Sequence, residues 1–165
     1  TLFRSPLVVK FGILSNDPTN MDNAQDLTYD ALQAIIEMCI EELDETQDKI
    51  NITNTAKEHT WYDSSKELTD KDGNIVWGMS WKLIQERSLQ TVQFVKEILD
   101  TNGSKLGIIG TGGIGCDEPW KIGKQLIAMK NAGTDLFNMF TWFVYDPTIV
   151  AKNLRVLDRS SKKII

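Results

Sequence analysis

Short apolar segments typical of buried strands alternate along this chain with longer segments of helical periodicity, and this alternation restricts the fold more than any other feature. The apolar segments predict four strands, at residues 7–14, 50–55, 105–110 and 135–140. Apolar residues three and four positions apart predict the helices that follow them, at residues 26–45, 86–100, 119–131 and about 147–157. Strands that alternate with helices in this way indicate an α/β fold with a parallel sheet.

Two parallel architectures remain open at this point, a small doubly wound sheet and part of a (β/α)8 TIM barrel. A complete barrel takes about 250 residues and rarely fewer than about 200, whereas this chain has 165 residues. No glycine- or serine-rich linker divides the sequence. We therefore expect one domain over residues 1–165, which in the barrel case supplies four of the eight βα units, or half a barrel.

Charge and cysteine content exclude several classes of function. The chain carries 18 Lys and Arg against 23 Asp and Glu, a formal net charge of −5, which disfavours a nucleic-acid-binding surface. No apolar run approaches the roughly 20 residues that span a bilayer. Two isolated cysteines, Cys39 and Cys116, and the single His59 predict neither a disulfide framework nor a metal site, and they indicate a reducing, cytoplasmic location. The chain begins without Met or a signal pattern, so we expect it to be an internal piece of a longer protein.

The most specific local motif is the glycine-rich turn after the third predicted strand, at residues 110–115. Consecutive glycines such as Gly112 and Gly113 let backbone N–H groups approach a phosphate without an intervening side chain, and the following helix adds the positive end of its dipole. In barrel enzymes a phosphate site commonly lies on the loops after the last two strands, where this turn and Thr141 stand. A tight turn that needs positive φ, without any ligand, remains the alternative.

Further polar groups stand at predicted strand positions. Lys10 interrupts the apolar first strand, where a lysine points into a polar pocket, meets an acceptor or, on an edge strand, reaches water. A strand-end lysine beside a flavin can hydrogen-bond the N1/O2 edge of the ring. Thr53, Asn54 and Thr55 end the second strand, where they either face the mouth of a barrel or cap a turn. The acidic residues within 41–48 are expected to form a solvated helix end.

The order of these motifs resembles the C-terminal half of dihydroorotate dehydrogenase, a family of flavin-dependent (β/α)8 barrels that oxidise dihydroorotate to orotate in pyrimidine biosynthesis. The resemblance extends from about Pro6 to Leu154, and the matched strands are the fifth to eighth of that barrel. The matching segments, in chain order, are Val8-Val9-Lys10, Thr53-Asn54-Thr55, Gly78-Met79-Ser80, Ser88-Leu89, the run from Ile108 to Ile114, and Phe140-Thr141.

The resemblance implies FMN as the cofactor and a pyrimidine as the small-molecule substrate of an oxidoreductase. It implies contacts of Lys10 and Thr53 with the isoalloxazine ring, and of Asn54 and Thr55 with the substrate. It assigns the FMN phosphate to backbone groups of four residues, Gly112, Gly113, Phe140 and Thr141. The family's catalytic base lies in the first half of the barrel, so the resemblance assigns no catalytic base to this chain and leaves the electron acceptor open.

The chain also departs from the family at two positions that bear on flavin binding. Trp77 and Trp81 stand where the family has glycines, and an indole there would stack on the flavin or occupy its place. A flavin-free phosphate-binding half barrel and a non-catalytic half barrel are therefore alternatives to the oxidoreductase. In every case a half barrel leaves open strand edges and an unclosed apolar interior. We expect the chain to form a homo-oligomer or to pair with an N-terminal half.

Overall fold

The described part of the chain forms a parallel sheet with three helices. The computed structural model describes residues 4–14, 27–53, 84–114, 119–138 and 148. Its elements, in chain order, are β1 (Val8–Phe11), α1 (Tyr29–Glu42), β2 (Lys49–Ile52), α2 (Gln85–Thr101), β3 (Gly107–Gly110), α3 (Pro119–Asn131) and β4 (Leu136–Phe137). The predicted α/β alternation is thus confirmed. Strand residues 139–140 and the predicted helix at 147–157, apart from Thr148, lie outside the described residues.

The strands are shorter than the apolar segments that predict them. β1 ends at Phe11, although Ile13 and Leu14 beyond it are also buried. The apolar pattern extends beyond the end of the strand because the loop that follows contributes these two side chains to the core. β2 likewise ends at Ile52, so Thr53 stands just beyond the strand rather than within it.

The strands lie in the order β1-β2-β3-β4, and every neighbouring pair is parallel. A doubly wound sheet reverses its strand order at a switch point, and the four described strands show no reversal. This part of the sheet is therefore wound in one direction, as βα units are in a barrel. Four strands are half the number that closes such a barrel.

The core occupies one face of the sheet. Alternate strand residues such as Phe11, Ile50 and Ile108 point to that face, where they pack in one cluster with Leu32 of α1 and Val95 of α2. None of the helices within the described ranges has the length and the apolar character that a membrane crossing requires.

The intervening strand residues occupy the opposite side of the sheet, which we call the helix-free face because no described helix packs on it. Its members are Val8, Lys10, Lys49, Asn51, Gly107, Ile109 and Leu136. The apolar residues at its two edges are about half exposed, Val8 at 52% and Leu136 at 51%. The sheet therefore presents solvent-exposed apolar surface at both of its edges.

The acidic segment at the end of α1 is exposed at Glu41, Glu42 and Asp44, as expected, but Asp48 corrects the expectation of a fully solvated helix end. The carboxylate of Asp48 is fully buried. It accepts hydrogen bonds from the backbone N–H groups of Leu7 and Asp44, each at 2.8 Å, and from both terminal nitrogens of the Arg4 guanidinium. The hydrogen bonds from Arg4 are the main reason why the pKa of Asp48 lies well below its usual range, and the two backbone donors lower it further. Burial of this carboxylate is possible because its lone pairs are satisfied.

Two more carboxylates join neighbouring βα units at the same, N-terminal edge of the sheet. Glu45 accepts Ser104 Oγ at 2.6 Å and the backbone N–H of Lys105 at 2.8 Å. Asp135 accepts the backbone N–H of Ile108 at 2.8 Å. This edge of the sheet is held together by charge-assisted hydrogen bonds.

Candidate functional site

The opposite edge of the sheet, at the C-terminal ends of its strands, holds the described members of the predicted cofactor site. In parallel α/β folds this is the edge at which ligands bind. Lys10 lies one residue before the end of β1 and pairs in register with Asn51 of β2. Thr53 follows β2, and the Gly112–Gly113 turn follows β3. These positions therefore belong to three adjacent strands.

Lys10 is exposed on the helix-free face of an edge strand. Its ammonium group makes no hydrogen bond or ion pair within the described ranges. The sequence left three environments open for Lys10: a polar pocket, a hydrogen-bond acceptor, or water at an edge strand. The position in the structure corresponds to the third. The cation is thus available to an anionic or electron-rich group that approaches this face.

Thr53 is buried and its polar groups are already engaged by neighbouring strands and helices. Its backbone N–H donates to the carbonyl of Thr111 at 2.9 Å, and its hydroxyl donates to the same carbonyl at 3.2 Å. Thr53 Oγ1 also lies 2.8 Å from Ser88 Oγ of α2. Either hydroxyl can be the donor in this pair. Thr53 thereby ties the end of β2 to both β3 and α2.

The Gly112–Gly113 turn follows a backbone path that only glycine adopts without strain. Both residues have positive φ, +84° and +71°. A Cβ atom on Gly112 would lie 2.5 Å from Thr53 Oγ1 and 3.0 Å from Ser88 Oγ, and one on Gly113 would lie 2.5 Å from the Cα of Gln85. The glycines are required because the turn passes so close to the start of α2.

The same turn also offers hydrogen-bond donors. The backbone N–H groups of Gly112 and Gly113 find no acceptor in the described portion of the chain. Successive backbone N–H groups in a turn can form a concave site that binds anions. The turn therefore has both a structural reason for its glycines and two donors for a ligand.

Asn51 and Arg87 are buried polar residues that no sequence motif singled out. Thr111 Oγ1 donates to Asn51 Oδ1 on the helix-free face, next to the position of Lys10. Arg87 of α2 donates to the carbonyl of Leu14 and so secures the segment after β1. The sequence signal for Asn51 is a polar residue between Ile50 and Ile52; for Arg87 we find none.

A cavity of about 350 Å³ lies between α2 and α3, next to the Gly112–Gly113 turn. Leu89, Ala128 and Met129 contribute apolar side chains to its wall, and the polar groups include Glu86 and Gln125. Among the described residues that line it there is no lysine, arginine or histidine. Its chemistry is therefore different from that of a phosphate pocket.

Several predicted site residues lie outside the described residues, namely Asn54, Thr55, Phe140 and Thr141, together with Trp77, Trp81, Cys116 and His59. Cys39 is a buried free thiol whose pKa is raised by burial. No group of three or more His, Cys, Asp or Glu residues that could hold a metal occurs in the described ranges.

Comparison with models of known protein families and with curated proteins found no match to this chain. The class that the structure itself defines is an α/β protein with a singly wound parallel sheet, a helix layer on one face and a glycine turn at the C-terminal edge. The likeness to dihydroorotate dehydrogenase rests on the sequence motifs.

Proposed function

We propose that this chain forms the C-terminal half of an FMN-binding (β/α)8 barrel and acts in an oxidoreductase of the dihydroorotate dehydrogenase type. One observation carries the proposal. The exposed cation of Lys10 and the N–H groups of the Gly112–Gly113 turn, which meet no acceptor among the described residues, lie at the same C-terminal edge of a singly wound parallel sheet. That is the edge at which barrel enzymes bind their ligands.

The described residues fit a planar, anionic cofactor in three respects. The glycine turn offers N–H donors of the kind that bind a phosphate. Lys10 offers a positive charge to the pyrimidine edge of a flavin, where negative charge develops on reduction. Thr53 keeps its hydroxyl on Thr111 and Ser88, so its side chain positions the turn, and its contact with the ring would be a packing contact. FMN would supply the acceptor for the hydride of the substrate.

The remaining site residues stay part of the proposal. Phe140 and Thr141 would complete the phosphate site, and Asn54 and Thr55 would contact the pyrimidine. The catalytic base would come from the other half of the barrel. Four further βα units, from a second copy or from an N-terminal half, would cover the helix-free face, where Val8 and Leu136 are half exposed.

The proposal is tested by adding FMN to the purified chain, removing unbound flavin on a desalting column and measuring the visible absorption that stays with the protein. We expect a yellow protein, and about tenfold weaker FMN binding after Lys10→Ala because a charge-assisted hydrogen bond is lost. Lys105→Ala is the matched control, since Lys105 is also exposed but stands at the opposite edge of the sheet. A colourless protein that binds inorganic phosphate would favour the flavin-free alternative, and one that binds neither would favour the non-catalytic half barrel.

A second experiment addresses catalysis. Because a general base typically contributes about 10²–10⁴ in rate, we expect no appreciable orotate formation from dihydroorotate by residues 1–165 alone. Some activity should appear when an N-terminal half is added in trans. Rapid turnover by a monomer of this chain would show that the proposed division of the active site is wrong.

A further inference from the structure

We propose that the cavity between α2 and α3 is a second binding site, which takes a small molecule with an apolar ring-sized body and a cationic head. The inference does not depend on the proposed function. It rests on the volume of the cavity, the distribution of apolar and polar groups around it, and the sign of its charge.

The size and the wall of the cavity suit a small organic molecule. Its volume of about 350 Å³ falls within the range of roughly 300–1,000 Å³ that is usual for small-molecule sites. Leu89 approaches from α2, and Ala128 and Met129 approach from α3. Met129 is almost fully buried, so the wall that it forms with these neighbours is apolar. A ring placed against this wall would leave water and gain the corresponding hydrophobic free energy.

The polar groups of the cavity select the charge of the ligand. Glu86 is exposed, whereas Met129 and Gly113 are buried, so the carboxylate marks the mouth and the apolar wall lies deeper. The other polar side chains that the described residues place on the wall are the carboxamides of Gln85 and Gln125, which carry no charge. A cationic head placed at the mouth would pair with Glu86, whereas an anionic head at the mouth would be repelled by its carboxylate. The site therefore differs in charge preference from the proposed phosphate site, although both include the glycine turn.

Three isosteric probes separate the contribution of the ring from that of the charge: benzamidine, benzamide and benzoate. The full chain is titrated with each, and binding is located by the amide signal of Gly113 and the methyl signal of Met129. We expect benzamidine to bind about threefold more tightly than benzamide, as is usual for an exposed ion pair, and benzoate to bind most weakly. Equal affinity for all three would overturn the cationic preference. If none of them shifts the two signals, the binding site itself is wrong.

Matched variants test the two parts of the site separately. Ala128→Leu should fill the cavity and abolish benzamidine binding, whereas Ala34→Leu, on an exposed position of α1, should leave binding unchanged. Glu86→Gln should abolish the preference, so that benzamidine and benzamide bind with about equal affinity. Glu97→Gln, on the exposed side of the same helix, should not change the preference. The Glu86 variant alters only an exposed side chain, so it tests the proposal even if Ala128→Leu does not fold. Retention of the full preference in Glu86→Gln would contradict the proposed role of the carboxylate.

Discussion

At the scale of single residues, the glycine turn shows how closely a binding loop can be tied to the packing beneath it. Gly113 passes over the backbone of Gln85, and Gly112 passes over the hydroxyl pair formed by Thr53 and Ser88. A side chain at either glycine would displace the start of α2 before it reached any ligand. Substitutions in the turn therefore act on stability as well as on binding, and the two effects must be measured separately.

Gly113→Ala tests the close approach of the turn to α2. We expect the free energy of unfolding to fall by about 3 kcal/mol, since a left-handed backbone and an overpacked contact with Gln85 both oppose the added methyl group. Gly103→Ala is the matched control, because Gly103 also has positive φ, +66°, but a methyl group added there would meet no atom within 4 Å. It should cost only about 1 kcal/mol. Equal losses in urea denaturation would mean that contact with α2 does not constrain the turn.

The hydroxyl pair below the turn supports a second prediction at this scale. We expect a double-mutant cycle of Thr53→Val and Ser88→Ala to give a coupling energy of about 1 kcal/mol, the usual contribution of a buried hydrogen bond. Thr53→Ser keeps the hydroxyl and should retain most of that coupling. A coupling energy near zero, measured by the same urea titrations, would show that the two hydroxyls do not act as a pair.

At the scale of secondary-structure elements, the segment between α1 and β2 fixes how one βα unit meets the next. Asp48 receives donors from Arg4, Leu7 and Asp44 and thereby holds the start of β1 beside the start of β2. The sequence pattern alone is that of a solvated acidic helix end, because a run of acidic residues does not reveal which carboxylate is buried. The burial depends on Arg4, a residue 44 positions away.

This segment predicts how stability depends on pH. The folded state lowers the pKa of Asp48, so the stability that this carboxylate contributes is fully present above the ordinary carboxyl pKa of about 4 and is lost as the pH falls below it. Asp48→Asn should lower stability at pH 7 and flatten the decline between pH ~4 and pH ~2. Glu97→Gln should leave that decline unchanged. Thermal unfolding across this pH range checks the prediction, and a variant as acid-sensitive as the parent would contradict it.

At the scale of the whole molecule, the two edges of the sheet are built from different chemistry. Carboxylates join the units at the N-terminal edge, whereas hydroxyls and glycines meet at the C-terminal edge. The sheet also has two unlike faces, one packed against helices and one with exposed apolar residues at both margins. In barrels the N-terminal edge supports stability and the C-terminal edge supports function.

The exposed apolar residues of the helix-free face predict self-association. Leu136→Lys should lower the weight-average mass in sedimentation velocity, because a charge on an exposed apolar edge opposes contact with another sheet. Met38→Lys is the control, since Met38 is even more exposed, at 58%, but lies on α1 rather than on the sheet. Equal effects of both substitutions would place the contact elsewhere.

The sequence predicts the alternation of elements well and their ends less well. The ends of two helices, at Gly103 and Gly133, can be predicted from the sequence because they depend on the local conformation of a glycine. Both glycines have positive φ in the structure. The apolar pattern places the end of β1 too late because Ile13 and Leu14 are buried outside a strand. Within the site, Lys10 and the glycine turn stand out as local anomalies. The Ser88 partner of Thr53 and the cavity beside Glu86 depend on packing between distant segments, which no local pattern records.

The sequential strand order has a consequence for how the chain acquires its structure. β2 pairs with β1, β3 with β2 and β4 with β3. From β2 onward, each strand therefore has a pairing partner that has already been synthesised. The chain can therefore fold progressively as it leaves the ribosome, with each loop closed onto an existing edge. At every stage, however, the most recently added strand exposes an open edge of the kind that favours aggregation. A sheet with sequential strand order can therefore form structure early. Rapid synthesis or a chaperone would limit the aggregation of its open edge during synthesis.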